Sequence, residues 1–349
     1  MEFHFTEEQD MTADVVRNLL ADLCTPADLR RLMASGAARD DVRWQSIVEM
    51  GLAGAMVSED HGGLGLSSAD FIRVAEVCGY AALPEPLVEN TAVALPLLAD
   101  AAPDAPALSR ALDGEITVAV GHPANPFVAD ADTAGAILMP RDGALYLVDP
   151  ASASLVEQPS IDPFRRLSGV DFAPEEARLL TVQAQPLLDR ALDRGALFVA
   201  AQLVGIAQAC VDMAVAYAKE RKQFGKPIGS YQAVKHQLAS AQVKIEFARP
   251  VVYAAAAALP QHDDFSRARV SHAKLAAGAA ADLAARTAIQ VHGAMGYSWE
   301  VDVHFFLKRA IALENTWGTP AFHRARVAHR VLTQPLGPEH TFAREHSDV

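Results

Sequence analysis

Apolar residues recur at three- and four-residue spacing from Phe5 to about Asp113, as in Val15, Leu19, Leu20 and Leu23, and that spacing predicts amphipathic helices. The run Asp60-His61-Gly62-Gly63-Leu64-Gly65 interrupts them as a loop, because clustered glycines disfavour a helix. Pro84-Glu85-Pro86 makes a second break. From Glu115 to about Phe172 the texture changes to short, turn-bounded apolar runs: Ile116 to Val120, Gly135 to Met139 and Ala144 to Val148. These read as strands, with Arg141-Asp142-Gly143 as a hairpin tip. So few strands suffice for a small sheet only.

From about Pro186 to Leu332 the pattern is helical again, in longer pieces. Leu192 to Gln223 has no proline and is apolar over most of its length, as suits a helix buried on several sides. Ser230 is the expected N-cap of a second helix, which Pro250 is expected to kink or divide. Asp264 or Ser266 caps a third, which reaches His292 and stops at Gly293. Val301 to Leu313 and Pro320 to Leu332 supply the remainder. Four or five long helices on short links read as an antiparallel bundle.

The 349 residues, 51% hydrophobic and 21% charged, can build one large core or two to three small domains, and exclude a disordered or fibrous chain. A net charge of −13 disfavours broad attraction to nucleic acid or an anionic membrane. Any phosphate-bearing ligand therefore needs a local basic cluster. Cys24, Cys78 and Cys210 are scattered, odd in number and without a CxxC pair, so neither a disulfide framework nor a metal site is expected. The acidic, polar start MEFHFTEEQD is unlike a secretory signal, and alanine-rich stretches such as Val251 to Leu259 are too short to span a bilayer. A reducing cytoplasm is the expected setting, with neither nucleic acid nor membrane as partner.

Two segments carry candidate chemistry. Arg221-Lys222-Gln223-Phe224-Gly225-Lys226-Pro227-Ile228, followed by Gln232, stands where one helix ends and the next begins. It offers an arginine to a phosphate and an aromatic face to a planar ring. On charge alone it reads instead as a solvated helix end on which Lys219, Arg221 and Lys222 complement the dipole. Gln290-Val291-His292-Gly293-Ala294-Met295-Gly296-Tyr297 has two glycines three apart, which let backbone approach a ligand closely, or simply cap a helix.

Together, RKQFGKPI and QVHGAMGY at the ends of successive helices resemble the C-terminal domain of the acyl-CoA dehydrogenase family. FTEEQ near the start, Trp44 followed by Met50-Gly51-Leu52, and SEDHGGLGL resemble its helical N-terminal domain, so the likeness spans nearly the whole chain. It implies an α+β, mostly α fold: a helical N-terminal domain (1–113), a truncated β middle domain (114–183) and an antiparallel four-helix bundle (184–336), followed by a polar tail (337–349) that is expected to fray. Each site of that family holds FAD across a subunit interface. The resemblance implies that Arg221 meets the pyrophosphate and Phe224 packs on the cofactor, with Gln223 and Gln232 nearby. Gln290, Gly293 and Ala294 would contact the adenosine end, Ala294 replacing the usual glycine. These groups would serve the FAD seated mainly in a neighbouring subunit.

Two departures decide the functional expectation. The reaction needs a base to remove a proton α to the thioester carbonyl while the flavin accepts hydride from the β carbon. The family's glutamate precedes a Gly-Thr pair; here Trp317 precedes Gly318-Thr319. The alternative base position, on the helix before RKQFG, falls on Gly195. Neither residue accepts a proton, and Asp189, Asp193 and Glu314 are read as surface charges rather than substitutes. The stretches that hold the flavin ring in complete members are also missing between Gly114 and Phe172, a region that ends in Ser160-Ile161-Asp162-Pro163-Phe164-Arg165-Arg166. This combination resembles the short subunit of heteromeric, steroid-degrading acyl-CoA dehydrogenases. It implies a longer partner in an α2β2 assembly that holds the acyl-CoA and the base, a shared FAD, and an electron-transfer flavoprotein or similar acceptor. Trp317 would plug the vacated site. The rivals are a homomeric dehydrogenase with an atypical base and a flavin-free acyl-CoA-binding scaffold.

Overall fold

The computed structural model describes residues 4–334, and the polar tail from Gly337 lies outside the described residues. The N-terminal helices are α1 (Glu7–Leu23), α2 (Pro26–Ser35), α3 (Asp41–Glu49) and α4 (Ser68–Tyr80). Thr6, Thr25 and Ser67 each close a capping box, satisfying amide groups that a helix start otherwise leaves bare. The buried stripe of α1 is Ala13, Val16 and Leu20, whereas Val15 faces outward. The expected stripe was thus partly misplaced: a spacing of four links Val16 to Leu20, and Val15 falls one position off that row. The Gly-rich run is a loop after a 3-10 turn at Glu59–His61.

The Pro84-Glu85-Pro86 break anchors its surroundings. Buried Glu85 takes two bonds of 2.7 Å from buried Arg43 and one of 2.9 Å from the Asp40 amide. A buried pair survives only when so fully bonded. Beyond it, α5 (Leu87–Glu89) runs through a π turn at Asn90–Ala94 into α6 (Leu95–Ala101), and α7 is Pro106–Leu112.

Seven strands follow: β1 (Val118–Val120), β2 (Val128–Ala129), β3 (Ala136–Arg141), β4 (Ala144–Val148), β5 (Ala153–Gln158), β6 (Leu167–Phe172) and β7 (Arg178–Thr181). They form two sheets, ordered β1-β3-β4-β7 and β2-β6-β5, rather than one small sheet. β5 and β7 escaped the sequence reading because they are largely exposed and gain their pairing from distant partners. Asp142 and Gly143 turn the β3–β4 hairpin, both at positive φ.

The bundle begins with α8 (Gln185–Glu220), longer at its start than Leu192. It is apolar and long enough to cross a membrane, yet 72% of its most apolar window is buried inside the protein. Close approach to α4 requires glycine on both sides, since a Cβ at Gly205 would lie 1.9 Å from the Glu76 carbonyl and one at Gly79 would lie 2.1 Å from that of Gln202. The helix ends at Glu220, and β8 (Lys222–Gln223) with β9 (Lys226–Pro227) forms a hairpin where the sequence suggested a helix terminus.

Next, α9 (Gln232–Ala258) is N-capped by Tyr231 with no side-chain bond; Ser230 instead donates to the Pro227 carbonyl. Pro250 does not divide it. The hydrogen bond Pro250 removes lies on the exposed side, where water can satisfy the Glu246 carbonyl. α10 (Asp264–His292) is capped by Asp263, with Ser266 closing the box, and stops at Gly293 as expected. α11 (Val303–Glu314) and α12 (Pro320–Thr333) complete the bundle.

Candidate functional site

The two motif segments meet at one end of the bundle. Tyr217, on the last turn of α8, stacks on His292 at the end of α10, with ring centroids 4.3 Å apart and planes 24° apart. Arg221 and Gly293 directly follow these two turns. The chain leaves α8 at Arg221, runs out through β8, and turns at Phe224 (φ 51°) and Gly225 (φ 82°). Positive φ at both tip positions is the geometry of a two-residue hairpin turn. It costs a bulky residue such as phenylalanine about 1 kcal/mol or more.

That strained Phe224 is 93% exposed. The Arg221 side chain is exposed and has no ion pair or side-chain hydrogen bond among the described residues. Gln223, Gln232, Gln290 and Ala294 are exposed as well. Gly293 has φ 61°, with nothing within 4 Å of where a Cβ would stand. A free guanidinium, an aromatic face, amide side chains and open glycine backbone suit one flank of a dinucleotide with a pyrophosphate and planar rings. The donor set therefore fits FAD approached from outside this chain.

The two positions at which the family resemblance expects a base lie elsewhere. Gly195 is about 38 Å from Glu220 along α8, at 1.5 Å per residue. Trp317 is 1% exposed and sits flat against Gly195, where a Cβ would lie 2.2 Å from the indole. The two inert residues of the sequence reading are thus one contact: the tryptophan occupies the room that a side chain at 195 would need.

The plug is pinned on all sides. The Trp317 amide donates to Asn125 Oδ1 at 2.7 Å, and its carbonyl meets His323 Nε2 at 2.9 Å. Since a carbonyl only accepts, Nε2 carries the proton and Nδ1 accepts from the Ser271 hydroxyl at 3.1 Å. Burial, aided by Lys274, holds the His323 pKa down to about 4, so the imidazole stays neutral and keeps this tautomer. Lys274 itself donates to the Leu313 and Glu314 carbonyls, both at 2.9 Å, and closes the end of α11. These bonds hold Trp317 at φ 56°, a left-handed conformation.

Under the plug remains a cavity of about 60 Å³, lined by Glu89, Asp130, Arg165, Gly195, Phe198 and Trp317 among others. That is room for a few waters and not for an acyl thioester. Burial, followed by the charge of Glu89, pushes the Asp130 carboxyl up to about 7, with Arg165 opposing. Burial raises Glu89 too, against Arg165. The sequence reading missed both carboxylates, because only the fold brings the start of the π turn to the loop after β2.

Asp193, expected at the surface, is buried and paired with Arg326 at 2.7 Å and Arg267 at 3.4 Å. Charges on α12 and α10, invisible in the local sequence, make that burial tolerable. Asp189 and Glu314 do not line the cavity under Trp317. In the loop after β1, His122 bonds the Leu188 carbonyl and the Ala124 amide, and the Asn125 Oδ1 accepts from the Trp317 amide. Among the described residues, no cluster of three or more His, Cys, Asp or Glu could hold a metal.

Residues 6–105 match the acyl-CoA dehydrogenase N-terminal domain and residues 186–332 its C-terminal domain. The chain belongs to the acyl-CoA dehydrogenase family. It is 37% identical over 308 residues to acyl-CoA dehydrogenase IpdE2 of Mycobacterium tuberculosis, covering 87% of this chain and 91% of that relative. As a dehydrogenase fold it is similar to the ChsE4-ChsE5 complex of Mycobacterium tuberculosis, with a TM-score of 0.83 and 21% identity over 96% of this chain and 100% of that one. It is likewise similar to a variant of the Tcur3481-Tcur3483 steroid ACAD, with a TM-score of 0.82 and 23% identity over 92% and 97%. An FAD complex of PigA shares the fold too, with a TM-score of 0.81 and 18% identity over 95% and 99%. FAD is the cofactor of this family.

Proposed function

We propose that this acyl-CoA dehydrogenase chain is a non-catalytic subunit of a heteromeric enzyme, and that it completes the FAD site of a longer partner. One observation carries the reading: the residues suited to FAD are exposed, with no ion pair to Arg221 among the described residues, while the position expected to hold the chain's own base is closed by Trp317 on Gly195. Arg221 would hold the pyrophosphate by charge-assisted bonds, Phe224 and Gln223 would pack beside it with Gln232, and Gln290, Gly293 and Ala294 would line the adenosine end. The flavin supplies hydride acceptance; this chain binds and orients it, and Trp317 excludes an acyl chain from the closed site. The partner supplies the base and most of the acyl-CoA site. Similarity to an IpdE2 and to a steroid ACAD supports a steroid-derived CoA thioester as substrate. Likeness to a two-component complex supports an α2β2 assembly. An electron-transfer flavoprotein or related acceptor and a cytoplasmic setting complete the proposal.

A homomeric enzyme would need a base, and the carboxylates facing the cavity, Glu89 and Asp130, have no room beside them for a thioester. A flavin-free scaffold leaves the free Arg221 and the strained Phe224 without a use. The test is purification of the chain alone and co-expressed with any longer dehydrogenase-like chain encoded beside it. The isolated chain should show no turnover of acyl-CoA with added FAD and a dye acceptor, and the complex should carry one FAD per heterodimer. Robust turnover by the isolated chain, or two flavins per pair, would sink the proposal.

The cavity under the plug adds a pH prediction. Asp130 has a folded pKa above its unfolded value of 3.8, so its contribution to stability is complete below about pH 4 and is lost as pH rises through about 7. Asp130→Asn should remove that loss. At pH 8 the variant should be more stable than the parent by roughly 1–3 kcal/mol, each tenfold change in acidity being worth about 1.4 kcal/mol. At pH 4 the difference should vanish. Urea melts at both pH values measure it, and parallel pH profiles would refute it.

A further inference from the structure

We infer that Tyr231 is a positioning residue for the cofactor-facing hairpin; the inference rests on the function proposed above. The hairpin has two residues in each arm, Lys222 pairing with Pro227 and Gln223 with Lys226. So short a hairpin is at best marginally stable by itself, and its tip holds Phe224 at a φ that phenylalanine rarely adopts. Something outside the arms must hold it.

Tyr231 does so from behind. Its hydroxyl donates to the Gln223 carbonyl at 3.1 Å, on the residue directly before Phe224. Its ring lies under the Lys226 ammonium, 4.3 Å from nitrogen to centroid, which fastens the opposite arm. The tyrosine thus touches both arms across the turn. Its own backbone is rigid, being the N-cap of α9 with its amide bonded to the Ile228 carbonyl at 3.1 Å. The Ile228 amide in turn donates to the Arg221 carbonyl at 2.8 Å, and Gly229 abuts Ala218 of α8, where a Cβ would stand 3.0 Å from the carbonyl oxygen. Tyr231 is therefore braced on α8 and α9, and through it the Arg221–Phe224 edge is set before any ligand arrives. Pre-setting matters because binding otherwise includes the cost of ordering the loop.

Tyr231→Phe removes the hydroxyl and keeps the ring under Lys226; Tyr231→Ala removes both. The complex of this chain with its longer partner, stripped of flavin, is titrated with FAD while flavin fluorescence is followed. Amide exchange over residues 221–228 is measured in the isolated chain. Loss of one modest hydrogen bond should weaken FAD about 3- to 10-fold in Tyr231→Phe. Tyr231→Ala should lose about 10- to 50-fold. Hairpin exchange should quicken in the same order, with assembly and Tm of the complex unchanged. If Tyr231→Phe leaves both FAD affinity and hairpin exchange unchanged while Arg221→Ala weakens FAD, Tyr231 does not position the hairpin, and the proposed function stands. If Arg221→Ala also leaves affinity unchanged in an assembled complex, the positioning role falls together with the reading on which it rests.

Discussion

On the function proposed above, Arg221→Ala in the assembled complex is expected to strip FAD from the partner's site and abolish turnover there, although neither Gly195 nor Trp317 of this chain can accept a proton. The guanidinium is exposed and has no ion pair among the described residues. Its binding to a pyrophosphate therefore sacrifices no internal ion pair. At a partly buried interface, removing one side of a hydrogen-bonded charge pair costs about 2–5 kcal/mol. That corresponds to a loss of affinity of roughly 30-fold to several thousand-fold. Arg221→Lys should recover only part, because an ammonium is a point charge and cannot form the planar two-pronged contact. Flavin content by visible absorbance and turnover of the reconstituted complex measure the effect. If both stay at the parent level with the complex intact, Arg221 is a solvated helix-end charge.

The second large effect is on stability. Trp317→Ala should destabilise the chain by about 3–5 kcal/mol, the range for truncating a buried tryptophan. The upper half of that range is expected, because the surroundings cannot collapse: Asn125 and His323 hold the backbone, and Gly195 has no side chain to fill the space. Trp317→Glu should be no milder and should create no dehydrogenase activity. It buries a carboxyl against His122 and Gly195, where no partner for the charge is in place. Urea denaturation of both variants and an acyl-CoA assay of the glutamate variant test this. A loss below about 1 kcal/mol, or turnover by the glutamate variant, would show that Trp317 is a passive surface of the cavity.

Helix identity and order were legible because long runs with one apolar stripe or a wholly apolar surface have few other solutions, as α8 and α10 illustrate. Caps were legible only to within a residue: Asp263 caps α10 where Asp264 or Ser266 was expected, and Ser230 does not cap α9. At a helix start several neighbouring oxygens compete for the same amides, and backbone direction decides among them. The exposed strands β5 and β7 could not be read, since nothing in their own sequence demands a sheet.

By itself, the sequence determined the family, the helical frame, the absence of a proton acceptor at positions 195 and 317, and the grouping of Arg221, Phe224 and Gly293 as candidate cofactor contacts. Those depend on residue identity and spacing along the chain, which folding does not alter. Only the tertiary structure decided that Trp317 lies on Gly195, that Asp193 is buried between Arg326 and Arg267, that Glu89 and Asp130 share a cavity, and that Tyr231 backs the hairpin. Each is a contact across a helix or loop junction. Its energy depends on distance and burial in three dimensions, and local sequence encodes neither.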